Sequence, residues 1–243
     1  MPEKNQSQDA DAILTLYMEL ALHPEKEFGW GKGKENARAL GYDERWLDGL
    51  PDEAWESAAG VGNPFAVAPL QPGDAVVDLG CGAGIDCFIA ALMVGDSGRV
   101  TGIDVTPAMI EKAKRVGEAL GLNNLAFHVA DMTAIPLGDS SADVVISNGS
   151  INLTPHKPCV FQQAYRVLKP GGRLQFADMV RTSAGQPETC ESWADCVAGT
   201  VEPVRYVEML KDAGFEQAEF VAFTGYKTAA ATTGAIFRAT KRG

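Results

Sequence analysis

One stretch, Ala75–Val76–Val77–Asp78–Leu79–Gly80–Cys81–Gly82–Ala83–Gly84–Ile85–Asp86, constrains the fold of this 243-residue chain more than any other. A short apolar run preceded by Pro72–Gly73 reads as a buried parallel strand. The glycines after it read as a tight turn feeding a helix that begins near Ile85. Gly80 and Gly82 let the backbone turn sharply and leave no Cβ where a ligand must lie against it. A Gly-x-Gly-x-x-Gly dinucleotide fingerprint would place its third small residue at position 85, where this chain has Ile85. The spacing here is Gly-x-Gly-x-Gly, with Asp78 two residues before the first glycine. A buried acid at a strand end, unless paired, suits a ligand that brings positive charge better than one that brings a pyrophosphate.

From Ala75 onward the pattern alternates strand and helix, which predicts an α/β fold built on a doubly wound, mostly parallel sheet. Val100–Asp104, Leu125–Ala130, Asp143–Ser147 and Arg173–Asp178 supply the next four strands. Glu219–Phe223 with Ala235–Ala239 forms a closing antiparallel hairpin, making seven strands. The helix after the second strand has clear punctuation: Thr106 to cap it, Pro107 in the first turn, Gly121 to end it, and an apolar stripe of Met109, Ala113, Val116 and Leu120. A later helix carries Phe161, Ala164, Tyr165 and Leu168 and stops before Pro170–Gly171–Gly172, and another spans Val204–Ala213. Upstream, helical spacing covers Asp9–Leu22, and two short helical pieces flank Pro51. Pro24 and Gly29, Gly31 and Gly33 predict a mobile segment over 23–39, whose Phe28 and Trp30 either pack the arm or close over the site. The expected division is a helical N-terminal arm and lid over 1–64 and a ligand-binding domain over 65–243.

A net charge of −11 disfavours nucleic acid and anionic lipid, which demand clustered Lys and Arg. The polar opening Met1–Ser7 lacks a signal-peptide apolar region, and no apolar run reaches membrane-spanning length. The five cysteines are odd in number and show no paired CxxC spacing, so neither a disulfide framework nor a metal site is expected, and the expected compartment is cytoplasmic.

In an open α/β sheet the ligand sits outside the carboxyl ends of the strands, where strand order reverses. Val76–Gly84 resembles motif I of the class I S-adenosylmethionine-dependent methyltransferases. Val100–Asp104 ends in an acid 20 positions beyond Gly84, about where a ribose-binding carboxylate belongs. The resemblance implies a Rossmann-like fold with S-adenosyl-L-methionine as cofactor, and it assigns roles. Gly80, Cys81 and Gly82 lie against the methionine portion, with Asp78 taking its ammonium. Asp104 accepts the ribose hydroxyls, with Val105 beside it. Asp131 takes the adenine amino group, Met132 and Met109 cover the ring, and Asn148 lines the channel near the sulfonium.

The likeness extends further. Leu40–Tyr42, Gly62–Pro64, Gly84–Phe88, Thr106–Met109, Ile146–Leu153, Arg166–Gly172 and Cys196–Gly199 together resemble the arsenite methyltransferase family. That family binds trivalent arsenic through converging cysteine thiolates. Here the family's cysteine positions fall on Val61 and Gly149, one N-terminal cysteine has no counterpart before Cys81, and Cys196 alone is retained. Arsenite would then need external thiols. The expected acceptor is instead a small organic molecule in a pocket where Val61 gives an apolar wall and Gly149 an empty volume. Transfer to oxygen or nitrogen also needs a base, for which His156, Asp195, Glu202 and Tyr206 are candidates. His156 and Cys196 are the expected catalytic residues. The alternative from a different class is a catalytically inactive binding or regulatory module.

Overall fold

A computed structural model describes residues 3–182 and 199–243. β1 (Ala75–Leu79) lies at the centre, paired in parallel with β2 (Arg99–Asp104) on one side and β4 (Ala142–Asn148) on the other. β3 (Leu125–Val129) adds outside β2, and β5 (Leu168–Arg181) outside β4. β7 (Thr232–Thr240) runs antiparallel between β5 and β6 (Glu216–Phe223), giving the order β3-β2-β1-β4-β5-β7-β6. Chain order reverses between β1 and β4, so the crevice for a ligand opens at their carboxyl ends.

Period-two alternation along the strands divides the apolar side chains between two faces. Val76, Val144 and Ile146 join the cluster that contains Cys87, Phe88 and Ile89 of α5 (Ile85–Val94) and Ile110, Ala113 and Val116 of α6 (Pro107–Ala119). Val77, Leu79 and Val145 join the opposite cluster with Phe161 of α7 (Lys157–Val167) and Tyr206 of α8 (Pro203–Asp212). There Phe176 of β5 stacks on Phe237 of β7 at 4.9 Å between ring centres.

The arm is integral to the first face. It comprises α1 (Glu3–Leu22), α2 (Gly33–Ala39), α3 (Glu44–Gly49) and α4 (Asp52–Trp55). Its Tyr42, Leu47 and Trp55 are buried with Phe65, Phe88 and Ile146. Lys112 of α6 donates to Ser57 Oγ at 2.9 Å and pairs with Glu56, while Ser57 Oγ donates to the Leu20 carbonyl of α1 at 3.0 Å.

Three local expectations change. Residues 33–39, expected within a mobile segment, form α2, because Gly33 N–H bonds to Ala58 O and Ala37 buries into the core. The side chain of Thr106 makes no capping bond to α6; its own N–H is instead taken by Asp104 Oδ1 at 2.8 Å. Strand pairing begins at Leu168, before the expected stop at Pro170–Gly172, and resumes after a bulge.

Candidate functional site

A cavity of about 470 Å³ opens at the switch point. Its floor is the turn after β1. The N–H groups of Gly80 and Cys81 both donate to Ile103 O, at 2.8 and 3.0 Å, which folds the turn back across the end of β2. Gly80 has φ +70°, and a Cβ there would lie 2.3 Å from both Cβ and Oγ of Ser150, so only glycine closes this turn. Ser147 and Ser150 hydroxyls both donate to Leu79 O, at 2.7 and 2.8 Å, and satisfy the strand terminus.

Around this floor stand carboxylates. Asp104, at the end of β2, accepts from Gly82 N–H at 2.9 Å through Oδ2 and from Thr106 N–H through Oδ1. It clamps the glycine turn to the start of α6 and keeps further lone pairs for a ligand. Burial raises its pKa against those two backbone bonds, which lower it. Asp78 is 2% exposed and, among the described residues, accepts only a thiol donation from Cys87 at 3.3 Å. Burial, then repulsion from Asp86, pushes its pKa well above the carboxylate range. The Cys81 thiol is pushed up to about 11 by burial, which makes it a wall rather than a nucleophile.

Sequence reasoning missed the tightest polar cluster. Tyr42 Oη donates to Asp86 Oδ1 at 2.7 Å. Asn148 Nδ2 lies 2.9 Å from Tyr42 Oη, 2.9 Å from Gly62 O and 3.1 Å from Asp86 Oδ2, while its Oδ1 accepts from Val61 N–H at 2.9 Å and Gly62 N–H at 3.3 Å. Asn148 lines the cavity as expected, and it also stitches the arm to β4 and α5. Burial raises the Asp86 pKa, and its two hydrogen bonds oppose the rise. In the sequence Tyr42 stands out only as part of the Leu40–Tyr42 tripeptide. An acid in the first turn of a helix is ordinary, so nothing local distinguished Asp86.

The remaining expected residues also line the cavity. Val105 is 51% exposed at its edge. Met132 reaches within 3.6 Å of where a Gly80 Cβ would stand. Asp131 is exposed and spends Oδ1 on the N–H and hydroxyl of Thr133, which leaves Oδ2 for a ligand. Met109 is nearly fully buried among Leu20, Ala21 and Ala83, so it is core packing and cavity wall at once. His156 stands exposed at the N-cap of α7 on the rim, its N–H donating to Thr154 Oγ1 at 3.1 Å. From the arm, Ile13, Leu14 and Tyr17 of α1 complete the roof.

Other expectations are revised. Tyr206 cannot serve as a base here, being fully buried and donating to Asp178 at 3.2 Å on the far face. Glu202 is exposed at the start of α8 and does not line the cavity. Phe28 and Trp30 pack on each other at 5.5 Å and line a separate groove against α1 with Thr15 and Leu16. The volume at Gly149 is not empty: a Cβ there would meet Val61 Cγ1 at 3.2 Å, and Gly149 has φ +74°. Val61 itself is core, packed with Ala177 and Met179. Cys196 lies outside the described residues, as does Asp195. Among the described residues no group of His, Cys, Asp and Glu could hold a metal ion, and no helix is long and apolar enough to cross a membrane.

Comparison with known proteins adds independent findings. Residues 70–214 match the methyltransferase domain family. An arsenite methyltransferase of Halobacterium salinarum is 43% identical over 185 residues, 74% of this chain and 46% of that protein. A 27-O-demethylrifamycin SV methyltransferase of Amycolatopsis mediterranei is 34% identical over 154 residues, 61% of this chain and 56% of that one. The chain thus spans about half the length of these curated relatives. The crystal structure of an arsenic (III) S-adenosylmethionine methyltransferase from Chlamydomonas reinhardtii superimposes with a TM-score of 0.60 at 26% identity, covering 88% of this chain and 74% of that one.

Proposed function

The chain belongs to the methyltransferase domain family, and from that premise we propose that it transfers the methyl group of S-adenosylmethionine to a small molecule held under α1. The carrying observation is the glycine turn that a Cβ at residue 80 would block, ringed by Asp78, Asp86 and Asp104. These residues fit a nucleoside that brings a diol and two cationic groups. Asp104 suits the ribose hydroxyls, Asp78 the ammonium, and Met132 with Asp131 the adenine. Bound there, the cofactor supplies a methyl carbon on a sulfonium leaving group. The protein's share is alignment: holding donor and acceptor in line at about 3–3.5 Å provides most of the rate. The apolar roof of Ile13, Leu14 and Tyr17 excludes water.

For the acceptor, the 43% identity supports kinship with arsenite methylation, while the contact between Val61 and Gly149 supports a different guest. Those two positions carry the family's cysteines in the resemblance, and here they close on each other as packing. A small organic acceptor, with arsenite only as a thiol adduct, is the reading these residues favour. His156 on the rim is the proposed base for an O or N acceptor, with Cys196 the retained thiol. Net charge of −11 supports a neutral or cationic guest over nucleic acid. The odd cysteine count supports a reducing, cytoplasmic setting.

S-adenosylmethionine is expected to raise the melting temperature and NAD to leave it unchanged; the reverse ranking removes the proposal. Transfer of isotopically labelled methyl to arsenite with glutathione, and to a panel of phenols, amines and thiols, then identifies the guest. Loss of arsenite turnover on omitting thiol or on Cys196→Ser assigns the metalloid; indifference to both removes it.

A further inference from the structure

Two deeply buried carboxylates flank the glycine turn, and neither has a cation. No Lys or Arg lines the cavity among the described residues, and no positive group contributes to the shift of Asp78 or of Asp86. An uncompensated pair of buried acids calls for positive charge from a ligand. The methyl donor carries two such groups, and they differ in chemistry. An ammonium offers N–H bonds and needs an acceptor with free lone pairs. A sulfonium has no N–H or O–H to give and needs only negative charge nearby.

The two acids are prepared differently in the same sense. Asp78 accepts a single weak thiol donation. Asp86 has both oxygens held, Oδ1 by the Tyr42 hydroxyl at 2.7 Å and Oδ2 by the Asn148 amide at 3.1 Å. It is fixed in place on the wall of the cavity, each oxygen already accepting one bond. Asp86 is therefore held more firmly than Asp78 and makes the better fixed counter-charge, because the low local dielectric makes its field strong, while the less committed Asp78 is freer to turn its oxygens to an ammonium.

Resting on the methyl-donor reading above, we infer that Asp86, held by Tyr42 and Asn148, is the counter-charge of the sulfonium and the residue by which this site tells the methylated cofactor from its neutral thioether product. Once the methyl group has left, the sulfur is uncharged and that attraction ends, which favours exchange of spent cofactor for fresh. Asp86 acts as a selectivity residue and moves no proton.

The test is calorimetric titration of the full-length protein with S-adenosylmethionine and, separately, S-adenosylhomocysteine, comparing wild type with Asp86→Asn and Asp78→Asn. In Asp86→Asn, affinity for S-adenosylmethionine should fall roughly tenfold while affinity for the thioether stays within about threefold, as expected for loss of one charge interaction. Asp78→Asn should weaken both ligands in parallel, since both carry the ammonium. Tyr42→Phe, a milder change should Asp86→Asn fail to fold, withdraws a bond that favours the ionised acid and should shift the ratio in the same direction by a smaller factor. Parallel losses in Asp86→Asn, or an unchanged ratio, overturn the inference while leaving the methyl-donor reading intact. Wild-type protein that binds neither ligand overturns that reading itself.

Discussion

Tyr42 with Asp86 and Tyr206 with Asp178 are buried tyrosine–carboxylate pairs on opposite sides of the sheet, and they are finished in opposite ways. On the closed side Asp178 accepts from Tyr206 Oη at 3.2 Å, from Asn152 N–H at 2.9 Å and from Met179 N–H at 2.7 Å; burial raises its pKa, and the Lys157 charge opposes part of that rise. Lys157 in turn donates to the carbonyls of Asn152 and Thr154, at 3.1 and 2.8 Å. On the cavity side Asp86 has Tyr42 and Asn148 but no lysine. A buried acid with a cation in its neighbourhood serves the fold, here as both groups bond the backbone of the 150–157 loop whose tip forms the cavity rim. A buried acid without one is incomplete until a ligand arrives.

The comparison is broken most forcefully at Lys157. Lys157→Met should cost about 3–5 kcal/mol in urea denaturation near pH 8, because it leaves the Asn152 and Thr154 carbonyls without their charged donor and removes a positive charge that acts on Asp178. The pH dependence has a definite sign. Burial raises the Asp178 pKa from 3.8 to about 7 even with Lys157 present. Its stabilising contribution is therefore full below about pH 4 and lost as pH rises through about 7. Removing the lysine raises the folded pKa further, so the variant should lose less near pH 5 than near pH 8; an equal loss at both values would show that the Lys157 charge does not act on Asp178.

A smaller effect is expected at Gly149. Gly149→Ala places a side chain at φ +74° against Val61, at a cost of roughly 1–2 kcal/mol. Val61→Ala should recover the part due to contact and leave the backbone part. Complete recovery in the double variant would mean that crowding alone fixes glycine there. The smallest effect belongs to Asp86→Asn without cofactor, within about 1 kcal/mol of wild type, since removing an unpaired buried charge offsets the disturbed bonds to Tyr42 and Asn148. A loss there as large as that of Lys157→Met would place Asp86 with the structural pair and end the distinction.

What could be read from the sequence follows from range of interaction. Strand β1, its glycine turn and the acid closing β2 are encoded within a few residues each, and the structure places them as the spacing predicts. The antiparallel hairpin was legible from two alternating runs near the end of the chain. Tyr42 and Asp86 are 44 positions apart and Asn148 is 62 beyond Asp86, and no period or turn signal links side chains that meet only after folding. The filled space at Gly149 was hidden for the same reason: reading a glycine as room ignores the neighbour, Val61, that tertiary packing brings against it. Residues 33–39 misled through composition, because their flanking glycines signalled looseness while Ala37 supplied an anchor.

The amide of Asn148 has a practical corollary for anyone building chimeras. A single side chain fastens Tyr42, the Val61–Gly62 backbone and Asp86 at one knot. The loop lengths separating those attachment points therefore behave as one shared parameter. An arm transplanted from a relative will seat only if it arrives with the same run of residues between its tyrosine and its glycine, whereas α1, which is tied on through Leu20 and Ser57, can be exchanged to reshape the roof without unpicking that knot.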